Sequence, residues 1–173
     1  GKMYSSLGLA TAKPKDNDQY SRSYLFSYGI TFWHFGVGAT CDLVPKNISA
    51  SLMVYNGWNS IYDNNNSKTG ALQFKFTPNG SFTLIYNLIA GPEEAGDESK
   101  LRVVHELNAS LKIGTSWTVN SDFVFGNEDG APVNGVKQLA RWYGGFLSAR
   151  FQATDSLYFS PRVEVYVDET GFT

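Results

Sequence analysis

From Leu101 to Ile113 the chain reads L-R-V-V-H-E-L-N-A-S-L-K-I, which places Leu101, Val103, Leu107, Ala109, Leu111 and Ile113 on one side and Arg102, Glu106, Asn108, Ser110 and Lys112 on the other. A period of two is that of an extended strand. The pattern recurs as Leu72, Phe74 and Phe76 against Gln73 and Lys75, and as Phe82, Leu84, Tyr86 and Leu88 against Ser81, Thr83 and Asn87. Near the end, Leu157, Phe159, Val163, Val165 and Val167 oppose Tyr158, Ser160, Arg162, Glu164 and Asp168. The alternation predicts about nine strands, near 1–12, 32–44, 48–57, 69–78, 81–90, 101–113, 116–126, 140–153 and 157–168. No segment carries a convincing 3.6-residue stripe.

The connections alternate between short and long. V-P-K-N-I, T-P-N-G-S, I-G-T-S-W and A-T-D-S-L are short and hold the Pro, Gly, Asn, Asp or Ser that tight hairpins use. The stretch from Lys13 to about Thr31, N-G-W-N-S-I-Y-D-N-N-N-S-K, G-P-E-E-A-G-D-E-S-K and G-N-E-D-G-A-P-V-N-G-V-K-Q are long. In an up-and-down meander every second connection lies at the same end of the sheet, so tight turns gather at one rim and long loops at the other. Outer-membrane barrels sort their loops in this way; a soluble β-sandwich has no cause to. The strands also exceed the ~5–6 residues common in globular sheets and suit a tilted crossing of a bilayer.

The fold expected is therefore all-β: an antiparallel up-and-down transmembrane β-barrel, or a contiguous segment of a larger one, as a single domain over residues 1–173. An odd count near nine cannot close the even-stranded barrel of bacterial outer membranes. The chain is thus expected to be part of a larger barrel, with open edges at 1–12 and 157–168. Strand number matters to function, because ~8 strands leave an interior filled by side chains while ~16 leave an aqueous channel.

Aromatic residues, 15% of the chain, fit the same picture. Phe76, Phe82 and Trp117 flank short turns, while Tyr55, Trp58, Tyr86, Phe125, Trp142 and Tyr143 lie near the long-loop ends, as interfacial girdles would. Fourteen basic residues against 16 acidic, a net charge of -2, give no basic footprint for nucleic acid. No run reaches the ~18 apolar residues of a membrane helix, and a mean hydropathy of -0.24 suits strands that turn only alternate side chains to lipid. One cysteine closes no intrachain disulfide, and so sulfur-poor a composition suits an oxidising envelope compartment.

Charge is segregated. Lys75, Arg102, Glu106, Lys112, Asp122, Arg150, Arg162, Glu164 and Asp168 all fall on the polar face and are the pore-lining candidates. Arg141 is an exception, at a strand end where it can snorkel. Mixed signs in similar number predict weak charge selectivity, since rings of one sign make a pore selective.

Four segments resemble a known family. Y-S-R-S-Y-L-F-S-Y-G-I-T-F-W-H-F-G-V-G-A-T (Tyr20 to Thr40) is similar to an S-R-S-x-L-F stretch, an aromatic and His pair and a G-V entering a strand. V-Y-N-G-W-N-S-I-Y-D-N-N-N-S-K-T (Val54 to Thr69) is similar to an N-G-W-D followed by an Asn-rich loop, and L-I-A-G-P-E (Leu88 to Glu93) and V-Y-V-D-E-T-G-F-T (Val165 to Thr173) also fit. In this order they resemble the family of outer-membrane porins called Putative beta-barrel porin-2, OmpL-like. Thr31 stands where that pattern has Pro, and Phe35 where Thr is common. The resemblance implies a transmembrane porin that passes small hydrophilic solutes, with no cofactor and no catalysis. Its expected partners are outer-membrane lipid and lipopolysaccharide, the solutes themselves and a further copy of the chain, but not nucleic acid.

Other chemistry finds little support. Asp63, Asn65 and Ser67 have the first spacings of a calcium loop, yet Lys68 stands where that loop needs Gly and Phe74 where it needs Glu. His34 and His105 lack metal-ligand spacing, so no metal site is expected. His34 is expected in the aromatic girdle. His105 falls on the apolar face, where a neighbouring subunit is one candidate partner. Ser121 shares that face with His105, but no carboxylate there would orient the imidazole for hydrolysis. The alternatives to a porin are a non-conducting structural or adhesive barrel plugged by salt-bridged side chains and a soluble β-sandwich binding module.

Overall fold

A computed structural model describes residues 1–9 and 17–173. Among these residues ten strands form: β1 (Lys2–Tyr4), β2 (Trp33–Val44), β3 (Ile48–Tyr55), β4 (Thr69–Asn79), β5 (Phe82–Pro92), β6 (Leu101–Ile113), β7 (Trp117–Val133), β8 (Val136–Thr154), β9 (Leu157–Phe159) and β10 (Arg162–Asp168). They make a single antiparallel sheet in the order β1-β2-β3-β4-β5-β6-β7-β8-β10, with β9 also on β8. The tight turns after β2, β4, β6 and β8 lie at one end, as the connection lengths predict. Strands β1 and β10 are the two edges, and among the described residues they do not pair with each other. The sheet is an open, curved wall.

Strands β9 and β10 continue one another in register. Phe159 faces Phe151 and Arg162 faces Ser148, and the break falls at Pro161, which has no N–H for the ladder. Its carbonyl still accepts the Ala149 N–H at 3.1 Å. The predicted strand 157–168 is therefore one strand with a proline gap.

Two expectations need correction. The long connection expected between the seventh and eighth strands is a continuation of β7 and β8, which pair past a bulge between Glu128 and Ala131 and join through Asn134-Gly135. Both turn residues have positive φ, 51° and 80°. Asn-Gly in that conformation matches the right-handed twist of the strands it joins. Gly135→Ala is expected to cost about 1 kcal/mol, read as faster amide exchange in the hairpin tip with the rest of the sheet unchanged.

The strand predicted over 1–12 is also shorter. Only Lys2–Tyr4 joins the sheet, against Trp33–Phe35 of β2. The Ser5 hydroxyl then accepts the Leu7 N–H at 3.1 Å, Gly8 takes φ 91°, and residues 5–9 turn onto the concave face. The rest of that predicted strand lies outside the described residues. From Asn17 the chain lies over the same face, makes one π-helical turn, Leu25–Gly29, and enters β2. Leu7, Leu25 and Ile30 of this inlaid segment pack with Tyr55, Ala71, Ile89, Val104, Val124, Trp142 and Phe146, which come from β3 to β8. One cluster fed by six strands requires the sheet to curl around the segment.

Register settles the faces. Directly paired residues share a side, so Gln73, Asn87 and Glu106 stand together on the concave side and Leu72, Leu88 and His105 on the convex side. The concave side buries Asn87, Glu106, Asn108, Asn120 and Asp122, while the convex side exposes Leu52, Leu107, Phe123, Leu147, Val163 and Val165. A water-soluble sheet does the reverse. Aromatic rows bound the convex side: Trp117, Phe151 and Phe159 are paired across three strands at the short-turn end, and Phe125 and Tyr143 with His105 at the other. From Trp117 to Phe125 is about 26 Å of strand at roughly 3.3 Å per residue, or some 20 Å of height at a tilt near 40°.

Candidate functional site: the polar face and the segment laid across it

All nine charged candidates lie on the concave side by register. Their surroundings divide them into three groups.

The first group binds the inlaid segment. Glu106 accepts the Gly8 N–H at 2.5 Å, and Asp122 accepts the Leu9 N–H at 3.1 Å. Consecutive backbone donors thus meet carboxylates on adjacent strands. Arg150 pairs with Asp18 at 2.7 Å. Arg162 donates to the carbonyls of Ser21 and Arg22, both at 2.9 Å, and pairs with Glu164 at 3.1 Å. Glu164 in turn accepts the Tyr24 N–H at 2.8 Å. Charge-assisted bonds of this kind are the stronger ones, and five of the nine candidates are spent on them.

The second group is at the long-loop rim. Arg102 forms an ion pair through Nε with Glu128, while its guanidinium carbon lies 4.9 Å from the Trp58 ring centre and 5.5 Å from that of Phe172. Asp168 folds the residues after β10 back on themselves, accepting the N–H groups of Thr170, Gly171 and Thr173 at 3.0, 2.8 and 2.7 Å. It caps a turn at the rim. Glu93, just beyond β5, accepts the Trp58 N–H at 2.8 Å and the Thr69 hydroxyl at 2.6 Å. Burial pushes its carboxyl above the usual carboxylate range, against the opposing pull of those bonds and of the Arg102 charge.

Lys75 and Lys112 form the third group, exposed toward the short-turn end with no ion pair among the described residues. Thr40 and Asp42 are exposed on the same side of β2.

Neutral polar residues matter as much as the charged ones. Gln73 donates to Asn87 at 2.8 Å and Asn87 to Glu106 at 2.6 Å, a chain of hydrogen bonds across β4, β5 and β6. A search by formal charge passes over Gln73 and Asn87, although their place on the polar face is visible in the alternation. His34 is not in a girdle. It is fully buried on the concave side, stacked on Tyr55 at 3.9 Å, with ring nitrogens against the Gly57 carbonyl at 3.2 Å and the Ser5 hydroxyl at 3.3 Å. Tyr55 and Trp142, also expected in a girdle, face inward and are buried. His105 stands in the upper convex row, where the Tyr86 hydroxyl meets its Nδ1 at 2.9 Å. That bond gives one ring nitrogen a partner within the chain.

The Asn-rich loop is a run of turns. Asp63 accepts the Asn65 N–H at 3.2 Å and pairs with Lys68, while Asn65 accepts the Ser67 N–H at 2.9 Å. These are turns closed by Asp and Asn side chains, and no cluster suited to a metal ion exists among the described residues.

A sheet with charged and amide side chains buried on one face, apolar ones exposed on the other, aromatic rows at both margins and four tight turns gathered at one end has the anatomy of an outer-membrane barrel wall. The family described as Putative beta-barrel porin-2, OmpL-like, matches residues 1–173. The chain belongs to that family. No curated protein and no solved structure gives a match. The family is one of porins, which are not an enzyme class.

Proposed function

We propose that this porin-family chain forms the wall of an outer-membrane channel through which small hydrophilic solutes diffuse, with the inlaid segment narrowing the passage. The observation that carries the reading is the inverted burial. Along β5 to β8 Asn87, Glu106, Asn108 and Asp122 are kept from solvent beside the apolar cluster of Ile89, Val104, Val124 and Trp142, while the residues left outside are mostly leucine and phenylalanine, Leu107, Phe123, Phe125 and Leu147 among them. Hydrocarbon rewards that arrangement and water penalises it.

One observation favours a second reading, a non-conducting barrel. The segment covers much of the polar wall and uses most of its charges. Against it, the short-turn side of β2 to β6 stays open around Thr40, Asp42, Lys75 and Lys112.

Conductance in planar bilayers separates the two. The channel reading expects discrete openings with weak charge selectivity, because Arg102, Arg150 and Arg162 are each matched by a carboxylate and the exposed Lys75 and Lys112 are offset in part by Asp42 on the same side. Removing the two arginines that hold the segment, Arg150→Ala with Arg162→Ala, is expected to enlarge the single-channel conductance. A purified, heat-modifiable protein that never conducts, with or without those arginines, would establish the plugged barrel instead.

A further inference from the structure

A cavity of about 240 Å³ opens at the long-loop rim, lined among others by Tyr28, Trp58, Asn59, Arg102, Trp142 and Phe172. At roughly 30 Å³ per water it holds about eight waters, the room that one six-membered sugar ring with its hydroxyls occupies. Its walls are of two kinds. Aromatic rings supply apolar faces: Tyr28 and Phe32 are exposed, while the buried Trp142 indole packs against Phe172, 6.0 Å away, and is fixed by its N–H bond to the Gly29 carbonyl at 3.0 Å. Planar polar groups supply hydrogen bonds. Arg102 spends only Nε, on Glu128, so its two terminal amino groups make no bond among the described residues. Asn59 spends only its oxygen, which accepts from the Thr31 hydroxyl at 2.7 Å and the N–H groups of Phe32 and Trp33 at 2.8 and 3.2 Å. Its amide donors have no partner among the described residues. Beside Arg102, the Glu128 carboxylate keeps one buried oxygen without a partner.

Charge decides among ligands. An arginine in an aromatic cavity suits an anion when its charge is free, but here Glu128 already neutralises it and Glu93 stands close enough to feel it. An arriving anion would meet a neutral or negative site. A neutral ring with C–H faces to stack on the exposed Tyr28 and Phe32 rings, and hydroxyls to take up unspent donors, meets no such penalty.

We propose that this cavity is a binding site for a neutral pyranose, the first station of a sugar entering along the polar face. The proposal names a solute class for the channel and rests on the porin reading.

The test titrates the refolded full chain in detergent micelles with glucose, galactose and mannose and follows tryptophan emission, to which Trp58 and Trp142 contribute two of the four indoles. At least one hexose should give a saturable change in the millimolar range. Mannitol, an open-chain polyol with no ring face, should give none, and gluconate and benzoate should bind more weakly than the hexose. The double variant R102Q/E128Q removes both members of the ion pair, so neither charge is left buried alone, and should weaken hexose binding at least tenfold. Should it fail to refold, Trp58→Leu, followed by calorimetry, carries the same expectation from a partly exposed loop position. Saturation by none of the three hexoses, tighter binding of gluconate or benzoate, or unchanged affinity in the variants overturns the proposal. Sugar binding by a chain that does not conduct would keep the site and retire the channel, and conductance without sugar binding would do the opposite.

Discussion

Leu147→Arg is expected to destabilise the folded chain by about 2–4 kcal/mol when it is refolded into lipid vesicles and titrated with urea. Leu147 stands in the convex row Leu84, Ala109, Ser121, Leu147 and Val163, midway between the aromatic rows through Trp117 and Phe125. It is 52% exposed on the isolated chain, so in the reading proposed here a guanidinium at this position faces the centre of the bilayer, the longest distance from either rim. Leu111→Arg should cost less, since Leu111 pairs with Val119, one row from the short-turn aromatics. There the longer side chain reaches the interface and the penalty approaches ~0–1 kcal/mol. Lys112→Leu, adjacent in sequence but on the concave side and without an ion pair, should stay within about 0.5 kcal/mol. A graded series separates lipid from a soluble partner surface, because only a bilayer makes the penalty depend on depth. Equal costs at Leu147 and Leu111 would refute the placement of the two rows.

Much of this wall is legible in the chain, because a strand states its face with every second residue. The assignments of Leu107 and Leu111 outward and Glu106 and Lys112 inward follow from alternation alone, and the register agrees at each. What alternation cannot carry is where a strand leaves the sheet. Ser5 to Leu9 keep a strand-like pattern, yet Leu7 is buried against the inner face because the carboxylates of Glu106 and Asp122, about a hundred residues away, capture the next two backbone N–H groups. No local signal announces a partner so distant. At Asn134-Gly135 the local signal was present, a hairpin dipeptide set within a run of polar and small residues that reads as loop. The pore-lining set was chosen by charge, which picked out side chains that face inward but not those already spent. Arg150, Arg162 and Glu164 are fasteners for the segment, and that role depends on where the segment lies.

Trp142→Ala is expected to carry the largest cost of any single change, about 3–5 kcal/mol by the usual scale for a buried tryptophan. Its ring is 1% exposed, lies between the sheet and the inlaid segment, and donates to the Gly29 carbonyl at 3.0 Å. Gly126 on the neighbouring strand makes room for it: a Cβ there would meet the ring at 2.1 Å, so Gly126→Ala must displace the indole. The β7–β8 ladder on either side is made by backbone and survives the loss of the side chain. The cost therefore falls on what the ring holds down, the turn Leu25–Gly29 and the chain leading into β2. Amide exchange should accelerate across those residues while Val104 and Val124, in the strands beneath, keep their protection. Trp142→Phe keeps most of the packing but leaves the Gly29 carbonyl without its donor, which should cost about 1 kcal/mol. On the channel reading proposed above, loosening the segment widens the passage, so Trp142→Ala should conduct more than the parent chain and Trp142→Phe only slightly more. Should exchange quicken over the segment with conductance unchanged, the segment would lie beside the path of solutes, and the constriction would have to be sought at Lys75 and Lys112.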